Sequence, residues 1–110
     1  MPARWSRSAK ALRDTTERDR RRGDAYMERV IADLERVPPG GRKNALDHAA
    51  WRLGRWITAG ALEQADVEDA LYAAAVANGR VADDGPRQCW AAIRSGLGTG
   101  LREPADLTRR

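Results

Sequence analysis

Two short stretches hold residues whose types and spacing suit binding chemistry. In Gly40-Gly41-Arg42-Lys43-Asn44, two glycines precede two cations and an amide where a helix is expected to begin. Free backbone N–H groups and the positive end of a helix dipole converge at such a point, which suits a phosphate. The second stretch, Arg94-Ser95-Gly96, opens a glycine-rich run through Gly98 and Gly100 whose backbone N–H groups offer another anion contact. Between them His48, Trp51, Arg52 and Arg55 share one side of a helix. They bring together an indole able to stack a base and guanidinium groups able to hold phosphates. Each feature also has an ordinary reading. These are a solvated turn, a Trp packed between helices, and a helix end closed by glycine beside a favourable cation. The G-x-x-x-x-G-K-[ST] spacing of a Walker A loop is absent.

Catalytic groups are sparse. His48 has no nucleophile near it in sequence, and nothing marks Cys89 as activated. One Cys and one His exclude the usual zinc sets. Glu63, Asp66, Glu68 and Asp69 match the dipole at a helix start and read as solvated. The expectation is a non-enzymatic protein with no catalytic residue, no metal site and no cofactor; whether ATP binds is left open.

Charge is distributed unevenly. The chain carries a net +4, yet residues 1–22 hold eight basic side chains against three acidic ones. Arg18, Arg20, Arg21 and Arg22 are the densest part of this stretch. The remaining 88 residues are close to neutral. A cationic arm on a neutral body is a footprint of nucleic-acid binding, or of a solubilising tail. Trp5, within the arm, is either a docking anchor or a stacking residue.

The elements that must position these groups follow from periodicity. With 110 residues, alanine-rich apolar content, no Phe and no β-branched runs, an all-α fold is expected: a compact bundle of about four helices with a basic N-terminal arm or extra helix. The boundaries fall at residues 1–23 for the arm, helical or disordered, at 24–102 for the bundle, and at 103–110 for a polar tail. The first core helix is expected from Asp24 to Val37, stopped by Pro38-Pro39. A second runs from Asn44 to just before Gly60, and a third from Gln64 to Asn78. The fourth starts near Pro86 and stops in Gly96, Gly98 and Gly100. No apolar stretch reaches the ~20 residues of a membrane span, and no apolar segment of a secretion signal follows the basic start. A cytoplasmic protein without a membrane partner is the expectation.

The run from Ala25 to Pro104 resembles the small helical module that follows the polymerase domain in actinobacterial and phage bifunctional DNA primase-polymerases. Gly40, Arg42, Leu46, Ala49, Ala50, Leu53, Gly54 and Gly60 match its first motif. Ile93, Ser95, Gly96, Leu97, Gly100 and Pro104 match its second. Lys43 and Asp47 stand where Asn is usual, and Trp51 stands where Phe is usual, which favours packing for that indole. The resemblance implies a module that binds single-stranded template DNA, and a partner primase-polymerase or helicase. The polymerase carboxylates and helicase ATPase motifs are not in this sequence, so the chain is no primase by itself.

The expected function is therefore single-stranded-DNA binding as an accessory to replication initiation of a mobile element, whether phage or plasmid. Arg42, Lys43 and Arg94 are expected to hold phosphates. Asn44, Ser95, Arg52 and Arg55 extend the track, and the arm adds affinity. The alternative is a protein-interaction module that regulates or inhibits a larger nucleic-acid enzyme, such as a replication or defence factor.

Overall fold

The computed structural model describes residues 3–107, with side chains from residue 16 onward. The described residues form five α-helices: α1 (Ala3–Glu35), α2 (Arg42–Thr58), α3 (Gln64–Ala77), α4 (Arg80–Asp84) and α5 (Pro86–Gly100). Among the described residues there is no strand, and the fold is the expected all-α bundle. No helix in the described part is long and apolar enough to cross a membrane.

The arm and the first core helix are one element. α1 runs unbroken for 33 residues, about 50 Å at 1.5 Å per residue. Its polar middle is built from alternating acids and bases; Asp19 and Arg22, one turn apart, approach to 3.7 Å. Further on, Tyr26, Met27, Val30, Ile31 and Leu34 form the stripe that faces the bundle, with Val30 and Leu34 fully buried. The last turn is closed from outside, because the Asn78 amide donates to the Leu34 carbonyl at 3.1 Å. Pro38 and Pro39 then forbid continuation, and a single 3₁₀ turn (Pro39–Gly41) leads into α2. With α1 nearly twice as long as α2, the molecule is elongated, 59 × 21 × 21 Å.

α2 and α5 make the most extensive contact between helices. Leu46, Ala49, Ala50 and Leu53 of α2 meet Cys89, Ile93 and Leu97 of α5 in one buried cluster with Val67, Leu71, Ala74 and Ala75 of α3. Small residues set the spacing. A Cβ on Gly96 would stand 2.7 Å from both the Ala50 Cβ and the Asp47 carbonyl oxygen. A Cβ on Gly54 would stand 2.9 Å from the Leu97 carbonyl oxygen, and one on Gly100 would collide with the Trp51 carbonyl. The three glycines expected to stop the last helix therefore lie inside it, and α5 continues to Gly100. Low helix propensity gives way here to a close contact that only glycine permits.

α3 ends as expected, at Gly79, whose φ of +86° is open to glycine without strain. The short α4 follows at once. Periodicity gave no warning of it, since five residues are too few to show a stripe.

Candidate nucleic-acid interface

The start of α2 is not the open cradle expected of it. Arg42 is 8% exposed and turns inward. It donates from Nη1 to the Asn78 carbonyl at 2.8 Å and from Nη2 to the Asp83 carboxylate. Its Nε is buried with no partner among the described residues. A second buried arginine lies beside it: Arg80 donates to the Asp84 carboxylate at 3.1 Å and reaches the Lys43 carbonyl at 3.4 Å. These bonds join the start of α2 to the end of α3 and to α4. Arg42, expected to hold a phosphate, thus has its guanidinium turned to the Asn78 carbonyl and the Asp83 carboxylate. Lys43 and Asn44 are exposed, and no side chain caps the helix start beside them.

The face of α2 that carries His48, Trp51, Arg52 and Arg55 divides. Arg52 leans toward α1, donating from Nε to the Tyr26 hydroxyl at 2.9 Å with its guanidinium over the Tyr26 ring. The other side of this junction is a stacked pair, Tyr26 on Trp56 at 4.5 Å, with Arg22 near the Trp56 ring. Trp51 and Arg55 turn the opposite way, toward the segment after α5. The Trp51 indole donates from Nε1 to the Glu103 carboxylate at 2.8 Å, and Arg55 donates from Nε to the Glu103 carbonyl at 2.8 Å. The Trp51 ring is flanked by His48 at 5.6 Å, one turn earlier, and by the Arg55 guanidinium at 5.2 Å, one turn later. Trp51 is thus half-buried, packed neither in the core nor free for stacking.

The polar tail accordingly has a docked portion. Thr58 donates to the Leu101 carbonyl at 2.7 Å, and the Ala105 N–H donates to the Arg55 carbonyl at 3.0 Å. Arg22 of α1 donates to the Leu107 carbonyl at 2.7 Å. Residues 101–107 form a strap from α5 across the carboxy-terminal end of α2 to α1. Sequence reasoning placed Tyr26 in the stripe of α1 but missed its bond to Arg52, and it missed Glu103 altogether, because these partners lie far along the chain and leave no local signal.

On α5, Arg94 and Ser95 are exposed in mid-helix, not in a loop. The Arg94 guanidinium lies 5.9 Å from the centre of the Trp90 ring, which stacks on Tyr72 at 4.7 Å. The Ser95 carbonyl accepts the Thr99 hydroxyl at 3.3 Å. The backbone anion nest expected at Ser95-Gly96 is therefore absent, because those N–H groups belong to a continuing helix.

On α1, Arg18 and Arg21 are exposed and have no hydrogen bond or ion pair within the described residues. Arg20 pairs with Glu63 across the surface at 3.7 Å, while Arg22 is half-buried against Asp19, Trp56 and the strap. The side chain of Trp5 lies outside the described residues.

Cys89 is fully buried in the α5 stripe. Burial pushes its thiol up from the ordinary value; nearby Arg80 pulls down, and Asp84 adds to the rise. The thiol is held in its unreactive form.

No protein family matches the chain, and none of the curated proteins or solved structures does so. The class that fold and surface define is an elongated all-α bundle with a cationic helix. Most residues that carry the resemblance to the primase-polymerase module (Leu46, Ala49, Ala50, Leu53, Gly54, Ile93, Gly96, Leu97 and Gly100) build the α2–α5 contact.

Proposed function

We propose that this protein is a non-enzymatic nucleic-acid-binding module whose principal contact is the amino-terminal half of α1. The observation that carries the reading is the continuity of α1: the most basic stretch of the chain extends directly from the core helix. Arg20 and Arg22 tie that stretch to the body, while Arg18 and Arg21 stay exposed without partners among the described residues. A presented row of guanidinium groups neutralises phosphates and releases counterions, which is the dominant source of such affinity. Exposed Lys43 and Asn44 at the uncapped start of α2, and Arg94 on α5, are secondary contacts. The preferred ligand is single-stranded DNA, and the role is accessory to primase-dependent replication initiation of a mobile element. Both rest on the sequence resemblance alone.

Fluorescence anisotropy with labelled single-stranded and duplex DNA tests the reading across a range of salt. Binding should weaken steeply with salt, by about 0.7 log units per neutralised phosphate for a single strand. The double variant Arg18→Glu with Arg21→Glu should lose at least about tenfold in affinity and show a shallower slope. An unchanged affinity and slope in that variant would remove α1 as the contact. No binding by the wild type at low salt would overturn the nucleic-acid reading in favour of a protein-interaction module.

A further inference from the structure

The outward face of α2 presents a row one and two turns apart: Asn44, His48, Trp51 and Arg55. Its span is about 16 Å. Asn44 and His48 are exposed, and Trp51 and Arg55 are half-buried with the strap beside them. Two donors are aimed at this place. One is the Trp51 indole N–H, which holds the Glu103 carboxylate as its single partner. The other is the Arg55 guanidinium, which spends Nε on the Glu103 carbonyl and leaves both terminal nitrogens without a partner among the described residues. The Glu103 carboxylate thus takes the indole N–H, while the Glu103 carbonyl takes the guanidinium Nε. An indole N–H and a guanidinium one turn apart can hold an anion between them, and a carboxylate of this same chain already holds the first.

We infer that the Trp51–Arg55 face is a second phosphate-binding site, and that Glu103 occupies it in cis until a nucleic-acid strand displaces the carboxylate. The inference rests on the nucleic-acid reading above. The strap is fastened by its backbone, through the Leu101 carbonyl to Thr58 and the Ala105 N–H to the Arg55 carbonyl. The Glu103 side chain therefore leaves by rotating about its own bonds while the strap stays in place. Exchange is cheap because Glu103 is exposed, where a charged contact contributes little. A phosphodiester arriving there takes the indole N–H and the two vacant Arg55 nitrogens together, which the carboxylate does not. The strap also reaches Arg22, so the α2 face connects with the basic half of α1 and one strand could follow both.

The test compares the full-length wild type with E103Q, E35Q and E103Q/R55A, using labelled oligodeoxythymidylate and a salt series. E35Q removes the same charge from an exposed position at the far end of α1 and controls for net charge. E103Q is expected to bind roughly threefold to fivefold tighter than E35Q, the scale of an exposed charged contact. Its salt slope should stay close to that of E35Q, because both complexes engage the same phosphate once the Glu103 side chain has moved aside, while E103Q/R55A should be shallower by about 0.7. The second substitution, Arg55→Ala, should remove that gain. In a proton–nitrogen spectrum, E103Q should shift one indole N–H resonance, and the same resonance should move when the oligonucleotide is added. E103Q indistinguishable from E35Q, with the wild type still binding, overturns the inference and leaves the α1 reading standing. No binding by either protein at low salt overturns both.

Discussion

Gly96 and Ala50 face each other across the α2–α5 contact so closely that a methyl group on Gly96 would stand 2.7 Å from the Ala50 Cβ. Below them Gly100 lies against the Trp51 carbonyl, and Gly54 against the Leu97 carbonyl. Three glycines and an alanine thus let two helices touch along their backbones.

That geometry separates the glycines of α5 by experiment. Gly96→Ala and Gly100→Ala should each destabilise the fold by about 1–3 kcal/mol, because the obstructing atoms are largely backbone and cannot rotate away. Gly98 meets nothing within 4 Å. Gly98→Ala should instead stabilise by about 0.5–1 kcal/mol through helix propensity. Urea denaturation midpoints check all three, and equal effects would contradict the contact.

Arg42 and Lys43 should behave as opposites although they are adjacent. Arg42→Ala removes the bonds to the Asn78 carbonyl and the Asp83 carboxylate and deletes a buried side chain, and should cost about 1–3 kcal/mol of stability. Lys43→Ala should leave stability within about 0.5 kcal/mol, and any loss it causes should be in DNA affinity at low salt. Melting curves together with anisotropy on the same two variants give the comparison; a stable Arg42→Ala protein with a flattened salt slope would restore Arg42 to the interface.

Cys89 provides a pH test with a definite sign. Its thiol is raised in the folded state by burial, so the native protein keeps that proton more tightly than the unfolded chain does. Stability is therefore undiminished below the unfolded thiol value of about 8.5 and declines as pH rises beyond it. A thiol reagent should modify Cys89 only at the rate of unfolding, and rapid labelling of the native protein at neutral pH would contradict its burial.

The Tyr26 junction should hold α1 on α2. Tyr26→Phe removes the acceptor of the Arg52 guanidinium at 2.9 Å while keeping the stack on Trp56. The expected loss is about 0.5–1.5 kcal/mol. Tyr26→Ala removes both and should lose more; hydrogen exchange across residues 19–35 reads the loosening directly.

The fold was readable because its stripes are regular. Tyr26 through Leu34, Leu46 through Leu53 and Val67 through Ala74 each repeat at three and four residues, and each is the face that packs. Arg42 shares the phase of Leu46, Ala49 and Leu53, so its inward direction was present in the pattern, masked by the habit of placing arginine outside. The end of α5 was misread because glycine serves two purposes, stopping helices and letting them touch, and only the partner helix distinguishes them. The Glu103 contacts were invisible for a different reason. They join residues about fifty positions apart through a segment with no periodicity of its own.

Gly23 sits where α1 passes the turn after α2, so close that any Cβ there would collide with the Ala61 carbonyl. The helix does not break at this point, since it is continuous from Ala3 to Glu35. α1 is in consequence a lever with its fulcrum at Gly23: a short loaded arm inside the bundle and a longer one outside. A sideways pull on the outer arm reaches the body as torque, taken up by the Gly60–Leu62 turn and by the ties of Arg20 to Glu63 and Arg22 to Leu107.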